Sequence, residues 1–199
     1  KRSPKAPFIT STLQQAGSSR LGFSPSNTMR IAQKLYEAGH ITYMRTDSTN
    51  LSQVAISAIG GVIEKKFGKD YLEFRTFAKK SKNAQEAHEA IRPTDLSKLS
   101  AGFTDEQKSL YKLISQRTIA SQIADASIMR TKIVARIEGA AETPDFTANG
   151  NRILFDGWLK ADPDAQGEEV TLPKVTEGEK LTLLSITDIE KQTEPPSRY

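Results

Sequence analysis

The feature that most limits how this chain can fold is a change of hydrophobic period near residue 128. Before it, apolar residues recur at helical spacing; after it, they alternate. Ile31 and Leu35, and Ala32 and Tyr36, stand four apart behind Ser24-Pro25-Ser26-Asn27. Gly39 follows where a left-handed cap would turn the chain back. Leu51, Val54, Ala55, Ala58, Ile59, Val62 and Ile63 mark a second helix, which Ser48, Thr49 or Asn50 can cap and Gly68 can end. Thr104-Asp105-Glu106-Gln107 is a capping box. It opens a third helix through Leu110, Leu113, Ile114, Arg117 and Ala120, ending near Ala124. Gly17-Ser18-Ser19-Arg20-Leu21-Gly22 reads as a loop by composition.

From Met129 to Glu138 the alternation predicts a strand with one buried face. Asn149-Gly150, between Phe146-Thr147-Ala148 and Arg152-Ile153-Leu154-Phe155, predicts a hairpin turn. Val170-Thr171-Leu172 and the run from Leu181 to Ile186 supply further strands, and Glu194 to Tyr199 reads as an exit linker. The expected fold class is α+β. A helical, winged-helix-like domain spans residues 1–128, and a β-rich module spans 129–199.

Charge divides at the same place. Residues 1–128 hold 19 Lys/Arg against 11 Asp/Glu, a net of +8, and residues 129–199 hold 9 against 13, a net of −4. Only the first part is therefore expected to meet a polyanion. The 199 residues suffice for one large domain or two small ones. No cysteine is present, which excludes a disulfide framework and thiolate metal ligands. The absence of an apolar run of about 18 residues excludes a helical membrane span, and with no leader pattern at Lys1-Arg2-Ser3-Pro4 the expected location is the cytoplasm.

Chemistry concentrates in His40-Ile41-Thr42-Tyr43-Met44-Arg45-Thr46-Asp47-Ser48-Thr49. If this stretch is extended, Tyr43, Arg45 and Asp47 share one face, and Thr42, Met44 and Thr46 the other. A phenol titrates near pH 10 (an approximate reference value), so it attacks well at neutral pH only when a nearby cation favours the phenolate. Arginine is permanently charged, and its planar fork fits phosphate oxygens. A Tyr-x-Arg pair can therefore attack a phosphodiester while the arginine holds the charge developing on phosphorus. By local pattern alone the better reading of Tyr43 is a half-buried aromatic at a strand end with an incidental arginine nearby. The other tyrosines lack this setting: Tyr36 and Tyr111 lie within helices, and Tyr71 and Tyr199 have no cation in phase.

Three stretches, in order, resemble the type IA DNA topoisomerases. Ile41-Thr42-Tyr43-Met44-Arg45-Thr46-Asp47-Ser48-Thr49 is similar to the active-site signature of that family. Pro7-Phe8-Ile9-Thr10-Ser11-Thr12-Leu13-Gln14-Gln15 resembles the segment leading into the same domain, and the block from Gln85 to Thr94 resembles a second conserved block. The resemblance implies an internal piece of a bacterial-type enzyme that cleaves and rejoins one DNA strand through a 5′-phosphotyrosine and relaxes negative supercoils without ATP. Tyr43 would be the nucleophile, with Arg45 and His88 at the scissile phosphate. Arg45, Asp47, His88 and Arg92 would contact DNA; Glu89 could equally be the ion-pair partner of Arg92.

The resemblance also implies that residues 129–199 are the second half of a β-rich arch whose first half would lie upstream. Magnesium would act in the full-length enzyme through an acidic domain elsewhere. None is expected here, since Asp162-Pro163-Asp164 belongs to a polar loop and two distant histidines cannot hold zinc. The implied partners are the single-stranded segment of negatively supercoiled DNA and the remaining domains of the same polypeptide. The competing expectation is a non-catalytic, winged-helix-like DNA-binding module. A recombinase-type tyrosine fits poorly, because His88 and Arg92 follow Tyr43 rather than precede it.

Overall fold

The computed structural model describes residues 1–77, 88–139 and 143–193. Four α-helices precede one two-stranded antiparallel sheet: α1 (Thr10–Leu21), α2 (Pro25–Glu37), α3 (Gln53–Lys66), α4 (Asp105–Ala120), β1 (Ser127–Ala135) and β2 (Phe146–Phe155). The α+β class is as the period change predicts. No described helix is long and apolar enough to cross a membrane.

α2 begins where Ser24 predicts it, the Ser24 hydroxyl accepting the Asn27 amide at 3.2 Å with Pro25 at the first helical position. Gly39, at φ 73°, turns the chain back as the His40 amide reaches the Leu35 carbonyl at 2.8 Å. α4 opens on the predicted box, the Thr104 hydroxyl accepting the Gln107 amide at 3.2 Å. It stops at Ala120, short of the expected Ala124.

Two apolar clusters form the interior. One gathers Phe8, Leu13, Ile31, Leu35, Ile41, Met44, Ile91, Leu110 and Ile114 from α1, α2, α4 and the Tyr43 segment. The other gathers Ile59, Ile63, Ile119, Ile123, Trp158 and Leu159. α4 runs through both, which fixes one against the other; truncating a buried Leu or Ile here costs about 2–5 kcal/mol. Trp158 also donates its ring N–H to the Arg2 carbonyl at 2.8 Å, and Arg2 and Ala126 exchange main-chain bonds of 2.8 and 3.0 Å. The second cluster thus draws on residues either side of position 128.

Several local expectations are corrected. The stretch from Gly17 to Leu21 is helical, the last part of α1. A glycine is needed at 17 because Thr28 of α2 lies against it, its hydroxyl oxygen 2.6 Å from where a Cβ would stand. α3 is capped by Ser52, one turn past the expected start, and Val54 faces solvent. The notion that Glu86 to Ile91 makes a short helical turn is not met at residues 88–90, which form no helix, consistent with Pro93 disfavouring helix before it.

The β module differs most. Asn149 and Gly150 are not a turn: they pair with Lys132 and Thr131 inside β2, without the positive φ a type I′ turn requires. The reversal lies between Ala135 and Phe146, and Leu172 and the Val170 carbonyl pack against Gly150 where a side chain would clash. Of the further strands, only Val170 pairs, through a single bridge to Asn151. Residues 181–186 form no strand. β1 has no buried face, since a two-stranded ribbon offers nothing to pack against it. The polar run 79–83 and the linker 194–199 lie outside the described residues.

Candidate active site

The segment after Gly39 is not a regular strand. It touches a neighbour by one antiparallel bridge, Ile41 to Pro93, and then continues without a ladder, bending at Thr42, Met44 and Arg45. The alternation expected of it nevertheless holds. Met44 and Thr46 are buried and Thr42 half-buried, while Tyr43, Arg45 and Asp47 are exposed.

The inward residues are the anchors. Thr42 donates its hydroxyl to the Ala90 carbonyl at 2.7 Å and accepts the Arg92 amide at 2.9 Å, and its own amide reaches the Arg92 carbonyl at 2.9 Å. This ties the Tyr43 segment to the one that carries His88. Thr10, at the start of α1, forms the other tie. Its hydroxyl donates to the Met44 carbonyl at 2.9 Å, and its amide donates to the Thr46 carbonyl at 2.9 Å.

Tyr43 is 45% exposed, and its ring meets Tyr36 of α2 edge-on, centroids 5.2 Å apart at 67°. Among the described residues its hydroxyl has no hydrogen-bond partner, so the phenol is neither buried nor tied to main chain. Two residues along, at Arg45, opens a pocket of about 440 Å³, lined by Thr10, Ser11, Gln14, Arg45, Asp47 and His88 among others. Tyr43 itself does not line it. Arg45 and His88 thus converge on one open space, with the phenol two residues from Arg45 along the same face.

The pocket is built to take an anion. The first turn of α1, whose Thr10 and Ser11 lie on the wall, bears no carboxylate, and a helix N-terminus carries about half a positive charge. Arg45 adds a full one, and among the described residues neither Arg45 nor His88 is in an ion pair. Among the described residues Asp47 is the one carboxylate on the wall.

Of the two places left open for Arg92, the structure shows the ion pair: it does not line the pocket, and its guanidinium is taken by Glu89 at 2.6 Å and by the Pro93 carbonyl at 3.0 Å. Glu89 also accepts the Ser52 amide at 2.7 Å, joining this segment to the start of α3. Its carboxyl is raised by burial but lowered further by the Ser52 and Arg92 bonds, for a net shift downward.

Comparison with known proteins decides the family. The DNA topoisomerase family model matches residues 1–199, the whole chain. The chain belongs to the bacterial type IA DNA topoisomerases. It is 48% identical to DNA topoisomerase 1 of Streptomyces coelicolor over 215 residues, which cover all of this chain and 22% of that protein. It is 47% identical to the Salmonella typhimurium DNA topoisomerase 1 over 98% of this chain and 23% of that protein. In the solved structure of full-length topoisomerase I from Thermotoga maritima, 90% of this chain superposes on 30% of that one, with a TM-score of 0.76 and 36% identity.

The chain thus spans under a quarter of the length of the first two relatives. Within this topoisomerase piece, the sequence reading missed Thr10, Ser11 and Gln14 as part of the site. Their only signal was the likeness of residues 7–15 to the family, since none carries a charge or a distinctive spacing. Tyr71 was set aside for want of a cation, but Lys160, distant in sequence, reaches its hydroxyl at 3.1 Å while that hydroxyl donates to Asp156 at 2.7 Å. The first three residues of the expected second block, Gln85 to Ala87, lie outside the described residues.

Proposed function

We propose that the full-length protein carrying this chain cleaves and rejoins one strand of DNA, with Tyr43 as the nucleophile, and so relaxes negative supercoils. The phenolic oxygen forms a bond to phosphorus, the bond from phosphorus to the 3′ oxygen breaks, and a 5′-phosphotyrosine results. The phenol gives up its proton and the departing 3′ oxygen gains one. The phosphodiester energy stays in the new linkage, so the 3′ hydroxyl can reverse the step without ATP. Arg45 holds the charge that develops on the phosphoryl oxygens, and His88 donates a hydrogen bond to the same group. Asp47 borders the path of the strand. Arg92, with its fork on Glu89, serves this reading by fixing the segment that carries His88.

The observation that carries the proposal is the exposed phenol of Tyr43 two residues from Arg45, which shares a pocket with His88. Among the described residues no group of three or more His, Cys, Asp or Glu could hold a metal ion. Magnesium in the full-length enzyme would be bound by its other domains. The partners are single-stranded DNA and those domains, and the enzyme works in the cytoplasm on the nucleoid. The division into an active-site domain over 1–128 and half an arch over 129–199 belongs to the same proposal.

Tyr43→Phe in the full-length enzyme is the test. The expected result is loss of the covalent DNA adduct and of relaxation, with DNA affinity retained. Unchanged relaxation would overturn the assignment and favour a non-catalytic DNA-binding module. The isolated chain is expected to bind single-stranded oligonucleotide weakly and less so at higher salt, and to relax no plasmid.

A further inference from the structure

We propose that Thr10 is the positioning residue for Arg45, an inference that rests on the reading of Tyr43 and Arg45 as the cleavage pair. From Tyr43 to Ser48, every hydrogen bond to a distant part of the chain among the described residues goes to Thr10. The Thr10 amide donates to the Thr46 carbonyl at 2.9 Å. The Thr46 amide donates to the Thr10 hydroxyl oxygen at 2.9 Å. The Thr10 hydroxyl hydrogen is shared by the Met44 carbonyl at 2.9 Å and the Thr46 carbonyl at 3.1 Å. Arg45 sits between the two residues held, and its own main chain has no bond among the described residues.

The chemistry of the side chain suits the task. A hydroxyl offers one hydrogen and two lone pairs, and here it both donates and accepts across the residue it brackets. No sheet ladder does this work, because the only bridge of the segment is at Ile41. Thr10 also lines the pocket together with Ser11, Arg45 and His88. One residue therefore joins the two walls: the start of α1 on one side and the Arg45 strand on the other. Without its hydroxyl, the Met44 carbonyl and the Thr46 amide lose their partner, and Arg45 is free to drift from the position facing His88. A displacement of about 1 Å in such a group can slow a reaction about a hundredfold.

The experiment compares Thr10→Val and Thr10→Ser in the full-length enzyme. Valine keeps the shape and removes the hydroxyl; serine keeps the hydroxyl. The readouts are single-turnover cleavage of a single-stranded oligonucleotide, followed as covalent adduct, affinity for the same oligonucleotide in a Tyr43→Phe background, and the melting temperature. Thr10→Val is expected to slow adduct formation by about tenfold or more while affinity changes far less, and Thr10→Ser to restore most of the rate. In an Arg45→Ala background, Thr10→Val should cause little further loss, because both changes remove the same thing. A wild-type cleavage rate in Thr10→Val, no rescue by serine, or effects of Thr10→Val and Arg45→Ala that simply multiply would each overturn the proposal. If Tyr43→Phe itself still forms the adduct, the underlying cleavage reading fails instead.

Discussion

Tyr36 stands edge-on to Tyr43, with ring centroids 5.2 Å apart and planes at 67°. It lies on the last turn of α2, seven residues before its partner, and the reversal at Gly39 returns the chain so that the rings meet. Since both rings are about half exposed, this contact is the main restraint on the direction of the Tyr43 phenol. Aromatic pairs of this kind contribute about 0.5–1.5 kcal/mol beyond area burial. Tyr36→Ala in the full-length enzyme is expected to slow covalent adduct formation about fivefold to tenfold, the rate equivalent of about 1 kcal/mol or a little more. Tyr36→Phe keeps the ring and should behave as wild type. Quenched-flow measurement of the adduct in both variants checks this, and equal loss in both would assign the effect to the Tyr36 hydroxyl.

Glu89 ties its own segment, through the Arg92 guanidinium, to the start of α3, through the Ser52 amide. Burial raises its pKa, but those bonds prevail and set it below its ordinary value of 4.5. A carboxyl depressed on folding stabilises the folded state above its unfolded pKa, and that contribution is lost as pH falls through the folded value. Glu89→Gln should therefore cost about 1 kcal/mol at neutral pH, reduced by partial exposure to solvent. The gap to wild type should narrow as pH drops from about 6 to about 3.5. Urea unfolding at a series of pH values measures it; a constant gap would mean that the charge of Glu89 contributes nothing.

Asp162 is 1% exposed and accepts Arg20 at 2.8 Å, fastening the segment after Trp158 to the end of α1. Arg117 lies near the same carboxylate: burial lowers its pKa, Asp162 pulls it back up and Arg20 lowers it. Its guanidinium also stacks 4.3 Å from the centre of the Phe8 ring. Asp162→Ala leaves two cations facing each other without their shared counter-charge. The expected loss is about 2–3 kcal/mol, below a fully buried pair because Arg20 keeps some solvent. Chemical denaturation reads the loss, and Arg20→Gln in the Asp162→Ala background should recover part of it.

A methyl group at Gly17 would meet the Thr28 hydroxyl oxygen at 2.6 Å and its methyl at 3.0 Å. Thr28 is fully buried and its hydroxyl bonds to the Ser24 carbonyl at 3.0 Å, so it cannot swing aside cheaply. Gly17→Ala should destabilise the fold by about 1–3 kcal/mol. The double variant with Thr28→Ala should lose less than the two single losses added together, which a denaturation cycle on all four proteins measures.

What could be read from sequence follows the range of the forces involved. α2 and α4 were legible because their caps and apolar faces are local, and the outward set of Tyr43, Arg45 and Asp47 because a period of two survives without a ladder. α1 was hidden: its glycine and serines look like a loop until α2 is seen pressing on Gly17. Asn149-Gly150 misled because the chain segment around Val170, distant in sequence, packs where a side chain would project. For Arg92 the sequence left two partners open, DNA or Glu89, and only the fold shows its fork on Glu89. Thr10 and Tyr36 gained their place beside Tyr43 only through the folding-back of the chain.

Arg2 and Ala126 share a pair of main-chain bonds, and the Trp158 ring is clipped to the same spot. The path into the helical body and the path out of it consequently run through one narrow neck. Loosening the chain at Arg2 would strip the Trp158 indole of its acceptor, so the entry of the chain and the second apolar cluster hold or give way together.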